Sequence, residues 1–113
     1  MKKTDRKRDN VLRETLTEVC EAALERYPGF VWLTHFANYS EFPDSLSVWC
    51  IFDTEAQLAS ADTASLTALI NHQLEHVGIK VKNIQKHVSF DTEEACRIAH
   101  GGNWKRRFSS QQH

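Results

Sequence analysis

Two apolar runs, Phe30 to Tyr39 and Ser45 to Asp53, constrain this chain more than any other stretch, and the polar break Ser40-Glu41-Phe42-Pro43-Asp44 separates them. In the second run Leu46, Val48, Cys50 and Phe52 alternate with Ser45, Ser47, Trp49 and Ile51. Side chains on a strand point alternately to its two faces, so this period of two predicts a β-strand with one face on a core. The first run predicts the partner strand of a β-hairpin. It is apolar on both sides, with Phe30, Trp32, Thr34 and Phe36 on one and Val31, Leu33, His35, Ala37 and Tyr39 on the other. Such a strand is covered on both faces or presents a sticky face to a partner.

The flanking segments supply the rest of an α+β protein. Leu12, Leu16, Val19, Ala23 and Tyr27 recur at helical spacing, predicting a helix from a cap at Asp9 or Asn10 to Tyr27, stopped by Pro28-Gly29. A small, polar connection from Thr54 to Asp62 leads into a second helix with Leu66, Leu69, Ile70, Leu74 and Val77 as its buried stripe, ended by Gly78. Ile84, Val88 and Phe90 then alternate with Gln85, His87 and Ser89 in a third strand, where Lys86 interrupts the apolar side and marks a sheet edge. Asp91 and Glu94 read as a capping box for a short last helix closed by Gly101-Gly102. The order α-β-β-α-β-α predicts a two-layer sandwich, with helices on one face of a three-stranded mixed sheet.

A chain of 113 residues fits one domain. Its charge is unevenly laid out. Residues 1–8 carry Lys2, Lys3, Arg6, Lys7 and Arg8 against Asp5, and residues 103–113 carry Lys105, Arg106 and Arg107. Residues 9–104 hold six basic and fourteen acidic residues. The expected organisation is therefore a flexible basic arm (1–8), a single acidic domain (9–102) and a partly ordered basic and aromatic tail (103–113). Three cysteines, Cys20, Cys50 and Cys96, are an odd number with no CxxC spacing, which argues against a disulfide framework and fits a reduced cytoplasm. The charged start has no apolar stretch behind it, so neither export nor a membrane span is expected.

Several constellations carry potential chemistry. His72-Gln73-Leu74-Glu75-His76 has the H-x-x-E-H spacing of inverted zinc proteases, yet the apolar stripe of its helix leaves both histidines on a flank and no third ligand is evident. Cys96 and His100 form a second i, i+4 pair, which lacks an oxyanion hole or an orienting third group for nucleophilic chemistry. No metal, cofactor or catalytic residue is therefore expected. The stretch His100 to Phe108 is the most unusual, combining Gly101-Gly102, Trp104, Lys105, Arg106, Arg107 and Phe108. Aromatics can stack bases and cations can hold phosphate, or the segment can fold back with its cations in water.

Across residues 9–91, the element order and the closing strand Val88-Ser89-Phe90-Asp91 resemble the type II KH arrangement of ribosome-binding factor A. That resemblance implies RNA contact through a helix-kink-helix after the hairpin. Here the pattern predicts one continuous helix ending at Gly78, within an acidic body. The leading expectation is a non-enzymatic protein-interaction module that self-associates through the second face of its sheet. Phe30, Trp32, Phe36, Trp49 and Ile51 would form that face, covered by a second chain or by Ile98, Trp104 and Phe108 of the chain's own C-terminal part. The alternative is an RNA- or ribosome-associated factor using its basic ends. The binding candidates are Trp32, Phe36, Trp49, Ile51, Trp104, Lys105, Arg106 and Arg107, and the partner is a second copy, another protein or a nucleic acid.

Overall fold

The computed structural model describes residues 2–111; Met1 of the expected arm and Gln112 and His113 of the expected tail lie outside them. Helix α1 (Lys3–Arg26) buries Leu12, Leu16, Val19 and Ala23 of the stripe predicted from spacing, and Thr15 beside them. It begins well before the expected cap at Asp9, so residues 3–8 form its first turns instead of a flexible arm. No Gly or Pro interrupts them, and Asp5 suits the first turn and lies 3.9 Å from Arg8. Tyr27 and Pro28 end the helix, and Gly29 turns the chain at a φ of 86°.

Strands β1 (Phe30–Phe36) and β2 (Ser47–Phe52) pair antiparallel, and β3 (Val88–Thr92) adds to β2 in parallel, giving a mixed sheet of order β1-β2-β3. The α+β class matches the expectation and β3 is an edge strand, but it begins at Val88, and Ile84–Lys86, expected within it, form a 3-10 turn instead. One face of the sheet carries Val48, Cys50, Phe52 and Val88, and these pack with α1 and α3 (Thr63–His76) in a single apolar core. Leu66, Ile70 and Leu74 of α3 are buried there, whereas Val77, expected in the same stripe, is 40% exposed at the helix's end. The connection read as a polar linker contains a further short helix, α2 (Glu55–Ser60), capped by the Thr54 hydroxyl, which accepts from the Gln57 amide at 3.1 Å. Two helices thus follow the hairpin where one was expected, separated by Ala61 and Asp62.

The register of β1 departs from simple alternation. Phe30 pairs with Phe52, but Trp32 pairs with Ile51, so Val31 is an extra residue in a β-bulge. The bulge sends Phe30 into the core, where its ring meets Phe52 edge-on at 5.7 Å, and leaves Val31 40% exposed. Both assignments reverse the expected faces of these two residues. Beyond the bulge the alternation resumes, with Leu33 on the core side and Trp32 and Phe36 on the far side.

After β3 the chain forms α4 (Glu93–His100), turns at Gly101-Gly102, and forms α5 (Trp104–Gln111). The cap of α4 is Thr92, whose hydroxyl accepts from the Ala95 amide at 3.0 Å. Asp91, expected as that cap, belongs to β3 and serves elsewhere. The tail is helical because the Asn103 side chain accepts from the Arg106 amide at 3.0 Å, which starts α5. This helix lies over the far face of the sheet, so the expected two-layer arrangement gains a third, partial layer.

Candidate functional site

The far face gathers most of the residues singled out from the sequence. Trp32, Phe36 and Trp49 meet the ring of Phe108 at centroid distances of 6.4, 5.2 and 5.4 Å, all edge-on. Trp104 meets Trp32 at 5.0 Å and Phe108 at 5.2 Å. Edge-to-face geometry of this kind places positive ring edges on negative faces and adds to burial of the rings. Ile51 is fully buried, on the opposite face of β2 from Val48, Cys50 and Phe52. Trp104 and Phe108 stand on one side of α5 because residues four apart share a helical face.

Polar groups rivet this cover at two points. Arg107 donates from Nε to Oδ2 of Asp91 at 2.5 Å and from Nη2 to Oδ1 at 2.9 Å, a two-pronged pair shielded from water. The hydrogen bonds to Asp91 raise the guanidinium's pKa further above its already high range. At the second point one oxygen of Glu93 accepts from two indoles, Trp32 Nε1 at 2.5 Å and Trp104 Nε1 at 3.1 Å. Trp49 Nε1 is buried and has no hydrogen-bond partner among the described residues.

Of the eight candidates, Trp32, Phe36, Trp49, Ile51 and Trp104 therefore form one cluster. Lys105 and Arg106 project into solvent, while Arg107 turns inward to Asp91 instead of joining them. Ile98, expected to help cover this face, is 80% exposed on α4. Sequence reasoning assigned Asp91 and Glu94 to a helix cap and gave Glu93 no role. The legible signal was the spacing of Trp104, Arg107 and Phe108 behind Asn103, which is a capped helix with one apolar face.

The other constellations sit apart. His72 and His76 lie exposed on α3, and Glu75 accepts from the Asn71 side chain at 3.1 Å. Among the described residues no group of three or more His, Cys, Asp or Glu side chains is arranged to hold a metal. Cys96 is buried and burial raises its thiol pKa, while His100 presents Nδ1 to Arg107 Nη1 at 3.4 Å. Burial pushes the Cys50 thiol up to about 12. Near the other edge of the sheet the Tyr39 hydroxyl donates to Asp9 Oδ1 at 2.6 Å, and His35 Nε2 lies 4.0 Å from the same oxygen. A groove of about 570 Å³ runs between α3 and β3, lined by Thr63, Thr67, Asn71, Gln85 and Phe90.

Fold and site together define a small α+β protein whose aromatic sheet face is capped by its own C-terminal helix. No family model, curated protein or solved structure matches the chain. Among the described residues no helix is long and apolar enough to cross a membrane.

Proposed function

We propose that this protein is a non-enzymatic interaction module that self-associates through the second face of its sheet, by exchanging α5 between two chains. The observation that carries this reading is the thinness of the cover. Trp32, Phe36 and Trp49 form an aromatic patch beside Ile51, and the cover is one eight-residue helix with no fully buried residue of its own. That helix hangs on Gly101-Gly102, which adopt φ of 60° and 82° and can take up other backbone conformations at little cost. Exchange between two chains would reproduce every contact of the closed form, including Arg107 with Asp91, so it requires no new complementary surface. Within one chain, α5 competes at a high effective concentration, which keeps the closed monomer dominant until the hinge is constrained or a partner intervenes. Three free cysteines, an odd number without CxxC spacing, favour a cytoplasmic setting.

Sedimentation of the full chain beside a variant lacking Gly101 and Gly102 tests the reading. A shortened hinge prevents α5 from folding back, so this variant is expected to be a dimer. Adding Trp49→Glu should return it to a monomer with its helical circular dichroism retained. A hinge-shortened chain that stays monomeric refutes exchange.

A second reading, an RNA- or ribosome-associated factor, is favoured by the helix pair after the hairpin and by the α3–β3 groove. Half of the basic residues in 9–104, namely Lys80, Lys82 and Lys86, lie in the segment between α3 and β3, and Lys86 follows Gln85 of that groove. Retention on a single-stranded RNA matrix that falls steeply with salt, and weakens in a Lys82→Glu/Lys86→Glu variant, would support it.

A further inference from the structure

An apolar cavity of about 280 Å³ opens between the first turns of α1 and the segment that follows α3. Val11, Phe42, Val77 and Ile79 wall it, and Lys7 and Arg8 stand at its rim. Val11 and Val77 are 37% and 40% exposed, so the cavity leaves aliphatic surface in contact with water. The surrounding charge is one-sided, since residues 2–8 carry five cations and only Asp5. Arg8 reaches that carboxylate only at 3.9 Å, and Lys7 makes no ion pair among the described residues. An open apolar pocket beside Lys7, which makes no ion pair among the described residues, and Arg8, held only at 3.9 Å by Asp5, favours a ligand with an apolar group and adjacent negative charge.

We propose that this pocket binds a short acidic segment of a partner protein. One large apolar side chain of the segment enters the cavity, and flanking carboxylates engage Lys7 and Arg8. The cavity lies at or below the lower end of small-molecule pockets, roughly 300 Å³, which suits one side chain better than an acyl chain. Its apolar walls are Val11, Val77, Ile79 and Phe42, whose ring lies against Tyr39 at 5.1 Å with a 33° tilt, and Thr4 and Gly78 complete the lining. Phe42 is the single aromatic ring among the lining residues and one of its faces is taken by Tyr39, so there is no platform for successive bases, which favours a peptide over a nucleic acid. The site is independent of α5 and of the far face of the sheet.

The probe is a short fluorescein-labelled peptide with a single leucine among glutamates, titrated with the full chain and followed by anisotropy. Binding is expected, weakening with added salt but not vanishing, because the apolar contact persists when the charges are screened. Lys7→Glu/Arg8→Glu and Val77→Asp should each lower affinity about tenfold or more while circular dichroism is unchanged. Val11→Asp provides a second pocket variant if Val77→Asp disturbs the end of α3. Replacing the leucine of the probe by serine should abolish binding. Absence of binding overturns the proposal. So does binding that ignores Val11→Asp and Val77→Asp and is displaced equally well by polyuridylate, since that is the behaviour of a polyanion surface.

Discussion

Truncating Arg107 to alanine tests what holds α5 on the sheet. The guanidinium makes two hydrogen bonds to a carboxylate whose side chain is 7% exposed, at 2.5 and 2.9 Å. Removing one partner of a buried pair leaves the other charge uncompensated, at a cost of about 3–5 kcal/mol. The Thr92 amide still donates to Asp91 Oδ1 at 2.8 Å, which puts the expected value near the lower end, about 3 kcal/mol. The chain also has an escape. If α5 detaches at Gly101-Gly102, water reaches Asp91, so the loss cannot exceed the free energy with which α5 docks. With a urea slope of about 1–3 kcal/mol/M, the midpoint should fall by roughly 1–3 M, or the tryptophan emission should shift red before the global transition. The Asp91→Ala/Arg107→Ala double variant leaves no unpaired charge and should regain part of the loss. An Arg107→Ala protein with parental midpoint and emission, or a double variant whose loss equals the sum of the single ones, would refute this account of the cover.

Phe52 is fully buried against Phe30, so Phe52→Ala should destabilise by about 3–5 kcal/mol, and an unchanged urea midpoint would contradict the assigned core face. Gly29→Ala should cost about 2 kcal/mol or more in thermal unfolding, because φ is 86° and the added methyl would lie 2.5–2.6 Å from the Gln57 side chain. A neutral result would mean that this turn relaxes freely. Burial lowers the His35 pKa, opposed by Asp9 and assisted by Arg13. The unfolded chain therefore binds the proton first as pH falls, so stability is full above about 6.5 and declines from there toward the folded pKa. His35→Gln should flatten that decline in denaturation series across acidic pH, and an unchanged slope would assign it to other groups.

Much of the fold was legible in local pattern. The stripe Leu12, Leu16, Val19 and Ala23, the alternation from Leu46 to Phe52, and the stops at Pro28-Gly29 and Gly101-Gly102 all depend on interactions within a few residues, and each shaped the corresponding element. The same alternation also put Trp32, Phe36, Trp49 and Ile51 on one sheet face. Which side Phe30 takes was not legible, because a bulge depends on how two strands register across the sheet, and one extra residue reverses every earlier assignment. Nor could the sequence say that Asp91 would leave its apparent capping role for Arg107, sixteen residues later, since that choice depends on where α5 docks. Local pattern was enough to read the two long helices, the hairpin, β3 and α4 and most of their faces, but not α2, α5 or the first turns of α1. Tertiary structure decided what covers the aromatic face, because burying a large apolar surface is a property of the assembled sheet and takes the nearest complementary one, here the chain's own capped and amphipathic end.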